Sequence, residues 1–386
     1  MSQLADGSRR PILLSNPGAD LYGSDRMLLE TITALIESGE RVVVTVPNDG
    51  PLVQKISARG AAVFVVRTPI IRKSALKPAG LLRLALETAR AISPGLSVLR
   101  EIRPSLVLVN TITAPLWFPL ARMVGIPVVC HVHEGEASVS RLLRVAVNLP
   151  LLLADKLIVN SRFSRDVLVD SLPWLGKKAV IVYNAVPGPD SVQPPRERIE
   201  GSLRLLFVGR LSPRKGPHVA VEALRMIIDR GVDARLDLVG AVFPGYEWYE
   251  DQLRQQVTAA GLTDRVAFHG FQHEVSPFAA EADIVLVPST VDEPFGNTAV
   301  EAALAARPLI VSATSGLLEA SSELSACIRV EPDNAQEIAD AVRTVTGDWR
   351  RIRAAAIADS EVAKSRYSPA RYGKEIYQTV SSVMRA

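Results

Sequence analysis

The sequence has 386 residues and a formal net charge of +3, with 48% hydrophobic and 22% charged residues. This composition is typical of a globular protein and excludes a disordered or collagen-like chain. The charge is too weak to indicate nucleic-acid binding. A chain of this length accommodates two domains of ordinary size.

Two cysteines, Cys130 and Cys327, are too few and too far apart to indicate a disulfide scaffold, so we expect a reducing, cytoplasmic location. The polar residues 1–7 do not resemble a signal peptide. The longest apolar run, residues 145–154, is well below the ~20 residues that a membrane span needs. We therefore expect a soluble protein.

The first half of the chain alternates short apolar strands with amphipathic helices, which favours a parallel, doubly wound sheet. Residues 11–15 form the first predicted strand, and the loop after it contains Gly18 and Gly23. Ser24 is positioned to cap the helix that follows. A strand, a glycine loop and a helix in this order are typical of a phosphate-facing turn, although a tight turn before a packed helix has the same pattern.

Residues 67–103 contain eight lysines and arginines but only two acids. Arg72, Lys73 and Lys77 alternate there with apolar residues. A solvated helix face is the ordinary explanation of such a run. The functional interpretation is a surface that contacts anionic lipid near a lipid-linked acceptor, at the inner face of the plasma membrane.

A strand predicted to begin at Pro127 places His131 and His133 on one face and Cys130 and Glu134 on the other. We do not expect a metal site here, because the cysteine points away from the imidazoles. A histidine that is hydrogen-bonded in the core and a histidine that contacts a ligand are both compatible with this pattern.

The second half begins again after a proline-rich stretch, residues 187–200, which we interpret as a linker. A predicted strand ends at Gly209 and Arg210, and the loop after it carries Lys215 before Pro217 opens a helix. Two surface cations need no special explanation. At the ligand-binding edge of a second sheet, however, they are suited to balance the charge of a diphosphate.

The most informative stretch follows the buried strand predicted at 283–288. Its loop presents Glu293 and turns at a Pro-Phe-Gly sequence, and the helix after it carries Glu301. Free N–H groups at such a helix start favour an anion. The structural alternative is a capping box from Thr298 to Glu301, with Glu293 as a solvated acid.

Glu293 and Glu301, with seven residues between them, resemble the E-x7-E signature of the retaining family-four glycosyltransferases. Residues 208–216 closely resemble the diphosphate loop of that family, and His133-Glu134 resembles its histidine–acid step. The resemblance covers nearly all of the second half and scattered landmarks in the first. It implies the α/β GT-B architecture, in which two Rossmann-like domains with doubly wound parallel sheets face a cleft.

The domain boundaries expected from this resemblance follow the composition of the chain. Residues 1–186 would form the N-terminal acceptor-side domain, 187–200 the linker, and 201–365 the domain that binds the nucleotide-sugar donor. Residues 366–386 would form a helix that packs back on the N-terminal domain.

The resemblance implies a hexosyltransferase that moves a sugar from a nucleotide-diphosphate sugar to a saccharide or lipid-linked acceptor, in the synthesis of a cell-surface polysaccharide or glycolipid. The implied catalytic residues are Glu293, His133, Arg210 and Lys215. The implied donor-binding residues are Gly18, Gly23, Gly209, Phe295, Gly296, Asn297 and Glu301.

No cofactor and no metal are expected, since the sequence contains no Asp-x-Asp pair of the kind that metal-dependent transferases use. Two alternatives stay open. A nucleotide-sugar epimerase of the same architecture would need a further acid/base pair in the first domain. A non-catalytic nucleotide-sugar-binding protein would keep the phosphate loop without transferring a sugar.

Overall fold

The computed structural model describes residues 10–21, 23–71, 78–135, 137 and 139–384. The chain divides into two compact units, one formed by residues 1–185 together with 369–386 and the other by residues 186–368. Arg72, Lys73 and Lys77, the centre of the predicted lipid-contacting surface, lie outside the described residues.

The first unit is a seven-stranded sheet in the order β3-β2-β1-β4-β5-β6-β7, and every strand pair is parallel. The strands are β1 Ile12–Ser15, β2 Val42–Val46, β3 Ala62–Val65, β4 Leu106–Val109, β5 Val128–Val132, β6 Lys156–Val159 and β7 Ala179–Ile181. The helices are α1 Gly23–Glu37, α2 Pro51–Ala58, α3 Pro78–Ile102, α4 Trp117–Met123, α5 Arg141–Asn148 and α6 Arg162–Ser171. The order reverses between β1 and β4, where an open α/β sheet binds its ligand.

The central strands of this unit are buried on both faces, as expected of a parallel sheet covered by helices. The last helix of the chain, α14 Pro369–Met384, belongs to the first unit and packs on α1. Tyr372 of α14 is 2% exposed, and its hydroxyl lies 2.6 Å from that of Thr31. The expectation that Ser24 caps α1 is wrong, because α1 begins at Gly23 and includes Ser24.

The second unit is a six-stranded parallel sheet in the order β10-β9-β8-β11-β12-β13. Its strands are β8 Leu203–Val208, β9 Ala234–Val239, β10 Val266–Phe268, β11 Ile284–Val287, β12 Leu309–Ser312 and β13 Cys327–Val330. Its helices are α7 Pro217–Asp229, α8 Glu247–Ala259, α9 Ser276–Glu281, α10 Asn297–Leu304, α11 Ser315–Ala320, α12 Ala335–Gly347 and α13 Trp349–Tyr367. Here the order reverses between β8 and β11.

The proline-rich stretch 187–200 has no helix or strand, and it lies against the second unit. Arg196 forms a bidentate ion pair with the buried carboxylate of Asp283, with N–O distances of 2.7 and 2.6 Å. The indole N–H of Trp349 donates to the carbonyl of Arg196 at 3.0 Å. These contacts make the stretch a packed part of the second unit.

Candidate active site

Four charged residues of the second unit lie at the point where its strand order reverses. The loop after β8 carries Arg210, Arg214 and Lys215, and the loop after the neighbouring strand β11 carries Glu293. Ligands of open α/β sheets bind at the carboxyl ends of the strands at this position. The sheet topology therefore brings together residues that are about eighty positions apart in the sequence.

Close backbone packing fixes the loop after β8 beside the loop after β11. Gly216 has a φ of +70°, and a Cβ atom added there would lie 1.9 Å from the carbonyl oxygen of Pro288. The N–H of Thr290 donates to the carbonyl of Arg214 at 3.0 Å. Only glycine combines this left-handed conformation with so close an approach, so the position of Lys215 depends on Gly216.

Glu293 is buried, and residues of these two loops contact its carboxylate. Its Oε1 lies 2.7 Å from Nζ of Lys215 and accepts a hydrogen bond of 2.9 Å from the hydroxyl of Ser289. Its Oε2 lies 3.6 Å from a guanidinium nitrogen of Arg214. The side chain of Lys215 is 27% exposed, so its ammonium group contacts the buried acid and also reaches solvent.

Two opposing effects determine the charge of Glu293. Burial raises the pKa of its carboxyl, but the positive charges of Lys215 and Arg214 and the hydrogen bonds from Lys215 and Ser289 outweigh burial. The pKa of Glu293 therefore lies below its ordinary value of 4.5. At neutral pH the residue is a carboxylate that can accept hydrogen bonds.

Arg210 belongs to the loop after β8, and its side chain is exposed. The guanidinium carbon lies 3.3 Å from the centroid of the Phe243 ring, in the loop after β9. Such cation–π contacts contribute about 0.5–1 kcal/mol at exposed sites. The Phe243 ring therefore supports the exposed guanidinium group of Arg210.

Helix α10 begins at the same edge and carries Glu301, which is partly exposed. Its N-cap is Gly296, with a φ of +114° and no side-chain capping hydrogen bond. The capping-box interpretation is therefore wrong, because Thr298 lies inside the helix. The start of α10 instead provides backbone N–H groups and the positive end of the helix dipole.

Phe295 and Asn297 flank this helix start. The side chain of Phe295 is 2% exposed and packs edge-on against the ring of Tyr367, with centroids 5.5 Å apart. Only the backbone of Phe295 is thus suited to contact a ligand, whereas Asn297 is partly exposed. Gly209, at the end of β8, also contributes backbone, since its carbonyl oxygen lies in close contact with Gly240 of the adjacent strand end.

His133 belongs to the first unit, where it follows β5 near the reversal point of that sheet. It is partly buried, and its Nε2 lies 2.9 Å from Oδ1 of Asn110, the residue after β4. Burial lowers the pKa of His133 to about 4, so the imidazole is neutral at pH 7.

The neighbours of His133 differ in character. Glu134 is held by the hydroxyl of Thr111 and by the backbone N–H of His133 at 3.1 Å, and burial raises its pKa. The ring of His131 lies on the same side as that of His133, with centroids 4.1 Å apart. The thiol of Cys130 points to the opposite face and donates to the carbonyl of Thr111 at 3.6 Å, as the strand periodicity predicts.

Gly18 and Gly23 lie in and after the first loop of this unit. Neither has a φ in the left-handed region, and a Cβ added at Gly23 would have no neighbour within 4 Å. Packing within the described chain therefore does not require glycine at position 23. The role of both glycines in donor binding stays a prediction.

Sequence reasoning missed several polar residues of these two regions. Arg214 and Ser289 hold Glu293, and Asn16 and Asn110 support His133. Arg214 is part of the loop that resembles a diphosphate site, so the sequence pattern could have identified it. Single asparagine and serine residues after strands carry no comparable signal, because their role depends on which strands are neighbours.

Comparison with known proteins agrees with this architecture. Residues 179–359 match the family model of glycosyl transferases group 1, and residues 23–185 match that of the glycosyl transferase 4-like domain. These matches indicate a GT-B glycosyltransferase of group 1. The chain is thus an enzyme of the glycosyltransferase class. Because the family model and the named relatives are glycosyltransferases, transfer is favoured over the epimerase and binding-protein alternatives.

Two curated relatives and one solved structure illustrate the similarity. The 2-deoxystreptamine glucosyltransferase of Streptomyces kanamyceticus is 28% identical over 359 residues, covering 83% of this chain and 89% of the relative. The glycogen synthase of Mycobacterium tuberculosis is 30% identical over 252 residues, covering 61% of this chain and 59% of the relative. HepE of Anabaena in complex with UDP and glucose has a TM-score of 0.81 and 24% identity, covering 97% of this chain and all of that one.

Within the described residues, none of the helices combines the length and the apolar character that crossing a membrane requires.

Proposed function

We propose that the protein is a retaining glycosyltransferase that transfers a sugar from a nucleotide-diphosphate sugar to a saccharide or lipid-linked acceptor, in the synthesis of a cell-surface polysaccharide or glycolipid. The observation that carries the proposal is the contact of Lys215 with the buried carboxylate of Glu293 at the reversal point of the second sheet. HepE of Anabaena, which has the same fold, was solved with UDP and with UDP-glucose, which supports a donor of this class.

In this proposal the cations of the loop after β8 bind the diphosphate. Negative charge grows on the leaving β-phosphate as the glycosidic bond breaks, so donors fixed in advance lower the barrier. Arg210 and Lys215 provide the charge, and the backbone N–H groups of Phe295, Gly296 and Asn297 add the positive end of α10. The ammonium of Lys215 has three N–H donors, so it can contact Glu293 and a phosphate oxygen together.

The remaining residues orient the donor in this proposal. Glu293 accepts hydrogen bonds from the sugar hydroxyls, and Glu301 accepts those of the ribose. His133 contacts the transferred sugar as it gains oxocarbenium character. Gly18, Gly23 and Gly209 allow the backbone to approach the donor and the acceptor.

We favour a same-face route, in which the leaving phosphate takes the acceptor proton and the anomeric configuration is retained. The rival route makes a carboxylate the nucleophile, as in retaining glycosidases. Glu293 is poorly suited to that role, because Lys215 and Ser289 occupy its Oε1 and its pKa is lowered. A carboxylate stabilised in this way is a weaker nucleophile.

The proposal includes chemistry that needs no divalent cation, since fixed cations occupy the role of a metal at the leaving group. It follows that activity persists in EDTA. The proposed contact with anionic membrane lipid stays a prediction of the sequence, because its basic residues lie outside the described part of the chain.

Incubation with a panel of nucleotide sugars and candidate acceptors tests the proposal. We expect one donor to release its nucleoside diphosphate faster when the right acceptor is present, in EDTA as well as in buffer. We expect the product to keep the anomeric configuration of the donor by NMR. An isomerised donor, tight binding without turnover, or an inverted product would contradict the proposal.

A further inference from the structure

A chain of hydrogen bonds between buried side chains leads from Asp25 to the imidazole of His133. The amide nitrogen of Asn16 donates to Oδ1 of Asp25 at 2.8 Å, and that of Asn110 donates to Oδ1 of Asn16 at 2.8 Å. Nε2 of His133 lies 2.9 Å from Oδ1 of Asn110. Asp25, Asn16 and Asn110 are 4%, 2% and 0% exposed, so the protein holds this chain away from water.

The orientation of each amide follows from its backbone neighbours. The nitrogen of Asn16 lies 2.9 Å from the carbonyl oxygen of Gly18. A carbonyl oxygen only accepts hydrogen bonds, so the atom facing it must be the NH2 group. The amide oxygen of Asn16 therefore faces Asn110 and accepts from it.

The same reasoning applies to Asn110. Its nitrogen lies 3.2 Å from the carbonyl oxygen of Ser24 and 2.8 Å from the amide oxygen of Asn16. These two acceptors use both of its N–H donors, which leaves the amide oxygen facing His133. Because that oxygen can only accept, Nε2 of His133 must carry the proton.

We infer that Asn110 is a positioning residue that holds His133 as the Nε2–H tautomer, so that the lone pair on Nδ1 accepts a hydrogen bond from a hydroxyl of the transferred sugar. The sugar contact in this inference rests on the proposed function. A neutral acceptor suits a sugar that develops positive charge, since an imidazolium would repel it. The tautomer also determines which hydroxyl orientation the ring recognises, because Nδ1 cannot donate.

The tautomer is measurable without any substrate. Protein labelled with 15N in its histidine rings gives a nitrogen spectrum in which the tautomers of neutral imidazole differ, and His133→Gln assigns the signals. At pH 7.5 we expect His133 to be neutral with the proton on Nε2. A proton on Nδ1, or an equal mixture of the two tautomers, overturns the inference.

Two variants connect the tautomer with the reaction. Asn110→Leu removes the acceptor opposite Nε2, so we expect a mixture of tautomers and a kcat lower by about 10- to 100-fold, the range seen for residues that orient metal-binding histidines. The KM for the donor should change little. Asn110→Gln keeps both the amide oxygen that accepts from Nε2–H and the NH2 group that donates to Ser24 and Asn16, so we expect it to retain the tautomer and to lose less kcat.

The outcomes separate this inference from the proposed function. Transfer by the wild type together with an unchanged kcat in Asn110→Leu, or equal losses in the two variants, overturns the inference alone. An Nε2–H spectrum in a protein that transfers no sugar overturns the contact with the sugar and the proposed function. If Asn110→Leu does not fold, the wild-type spectrum and the His133→Gln and Asn110→Gln variants still decide the question.

Discussion

Nζ of Lys215 lies 2.7 Å from Oε1 of Glu293, although the two residues follow different strands, β8 and β11. The carboxylate is buried, whereas the ammonium is partly exposed. The pair therefore has a structural role, since it neutralises a buried charge, and it presents a cation at the edge where we propose that the diphosphate binds.

Replacing Lys215 should affect activity and stability separately. We expect Lys215→Met to lower kcat/KM by at least ~100-fold, about 2.7 kcal/mol of transition-state stabilisation. It should also lower the free energy of unfolding by about 1–2 kcal/mol. The latter is less than for a fully buried pair, because Lys215 is partly exposed and Arg214 remains near Glu293.

The double variant Lys215→Met, Glu293→Gln separates the two effects. It removes both charges, so we expect its unfolding temperature to exceed that of Lys215→Met while its activity stays low. Lys364→Met, which changes an exposed lysine of α13, is the matched control. Recovery of activity in the double variant would contradict the proposed role of Lys215.

Glu301→Gln should weaken donor binding through the ribose. A carboxylate that accepts two hydroxyl hydrogen bonds loses much of their strength when it becomes a neutral amide, and we expect kcat/KM to fall by at least ~100-fold. Glu281→Gln, at an exposed acid of the same unit, should have no effect. A donor whose ribose lacks both the 2′- and the 3′-hydroxyl should be poor for the wild type and equally poor for Glu301→Gln; an additional loss in the variant would refute the ribose contact.

Two glycine substitutions should both lower activity but differ in their effect on stability. Gly216→Ala places a methyl group 1.9 Å from the Pro288 carbonyl at a φ of +70°, which costs about 1–2 kcal/mol from the backbone conformation alone. We expect it to lower the unfolding temperature and the activity together.

Gly23→Ala introduces a methyl group into open space at the first residue of α1, so the unfolding temperature should stay the same or rise while activity falls. Normal activity in Gly23→Ala would show that the first loop does not approach the substrates.

The stability of the protein should decrease as the pH falls below 6.5, in part because of His131. This residue is fully buried, and burial followed by the neighbouring His133 places its pKa well below 6.5. At a pH between the pKa of His131 in the folded chain and its value of about 6.5 in the unfolded chain, the unfolded chain binds a proton that the folded chain does not. Acid therefore favours unfolding. Since Glu134 has a raised pKa and acts in the opposite direction, the informative quantity is a difference between variants.

Denaturant unfolding of His131→Phe and the wild type at pH 7.5 and 5.5 measures this difference. The wild type should lose more stability between the two pH values than the variant does. Equal losses would mean that His131 takes up a proton in the folded state.

Patterns within one element predicted much of this structure. Period-two and period-3.6 apolar runs located the strands and helices, and Pro217 indicated a helix start that the structure places at the same residue. The diphosphate-like loop and the two glutamates were also visible, since each is contiguous in sequence.

The supporting residues could not be predicted in the same way, because their roles depend on neighbours distant in sequence. Ser289 and Arg214 meet at Glu293 only because β8 and β11 are adjacent in the sheet. Asn16 and Asn110 meet because β1 pairs with β4. At the start of α10 a local pattern gave the wrong answer. Thr298 and Glu301 have capping-box spacing, but the N-cap is Gly296, so the helix begins before Thr298.

The most direct test of the central claim is the preference of the protein for a nucleoside diphosphate over the matching monophosphate. Calorimetric titration with UDP and UMP, GDP and GMP, and ADP and AMP, all in EDTA, compares the wild type with Arg210→Ala and Lys215→Ala. We expect the base that binds to show at least a ~10-fold preference for the diphosphate, about 1.4 kcal/mol, and each variant to lose most of it. Equal affinity for the two nucleotides in the wild type, or an undiminished preference in both variants, would contradict the claim that this loop binds the leaving diphosphate.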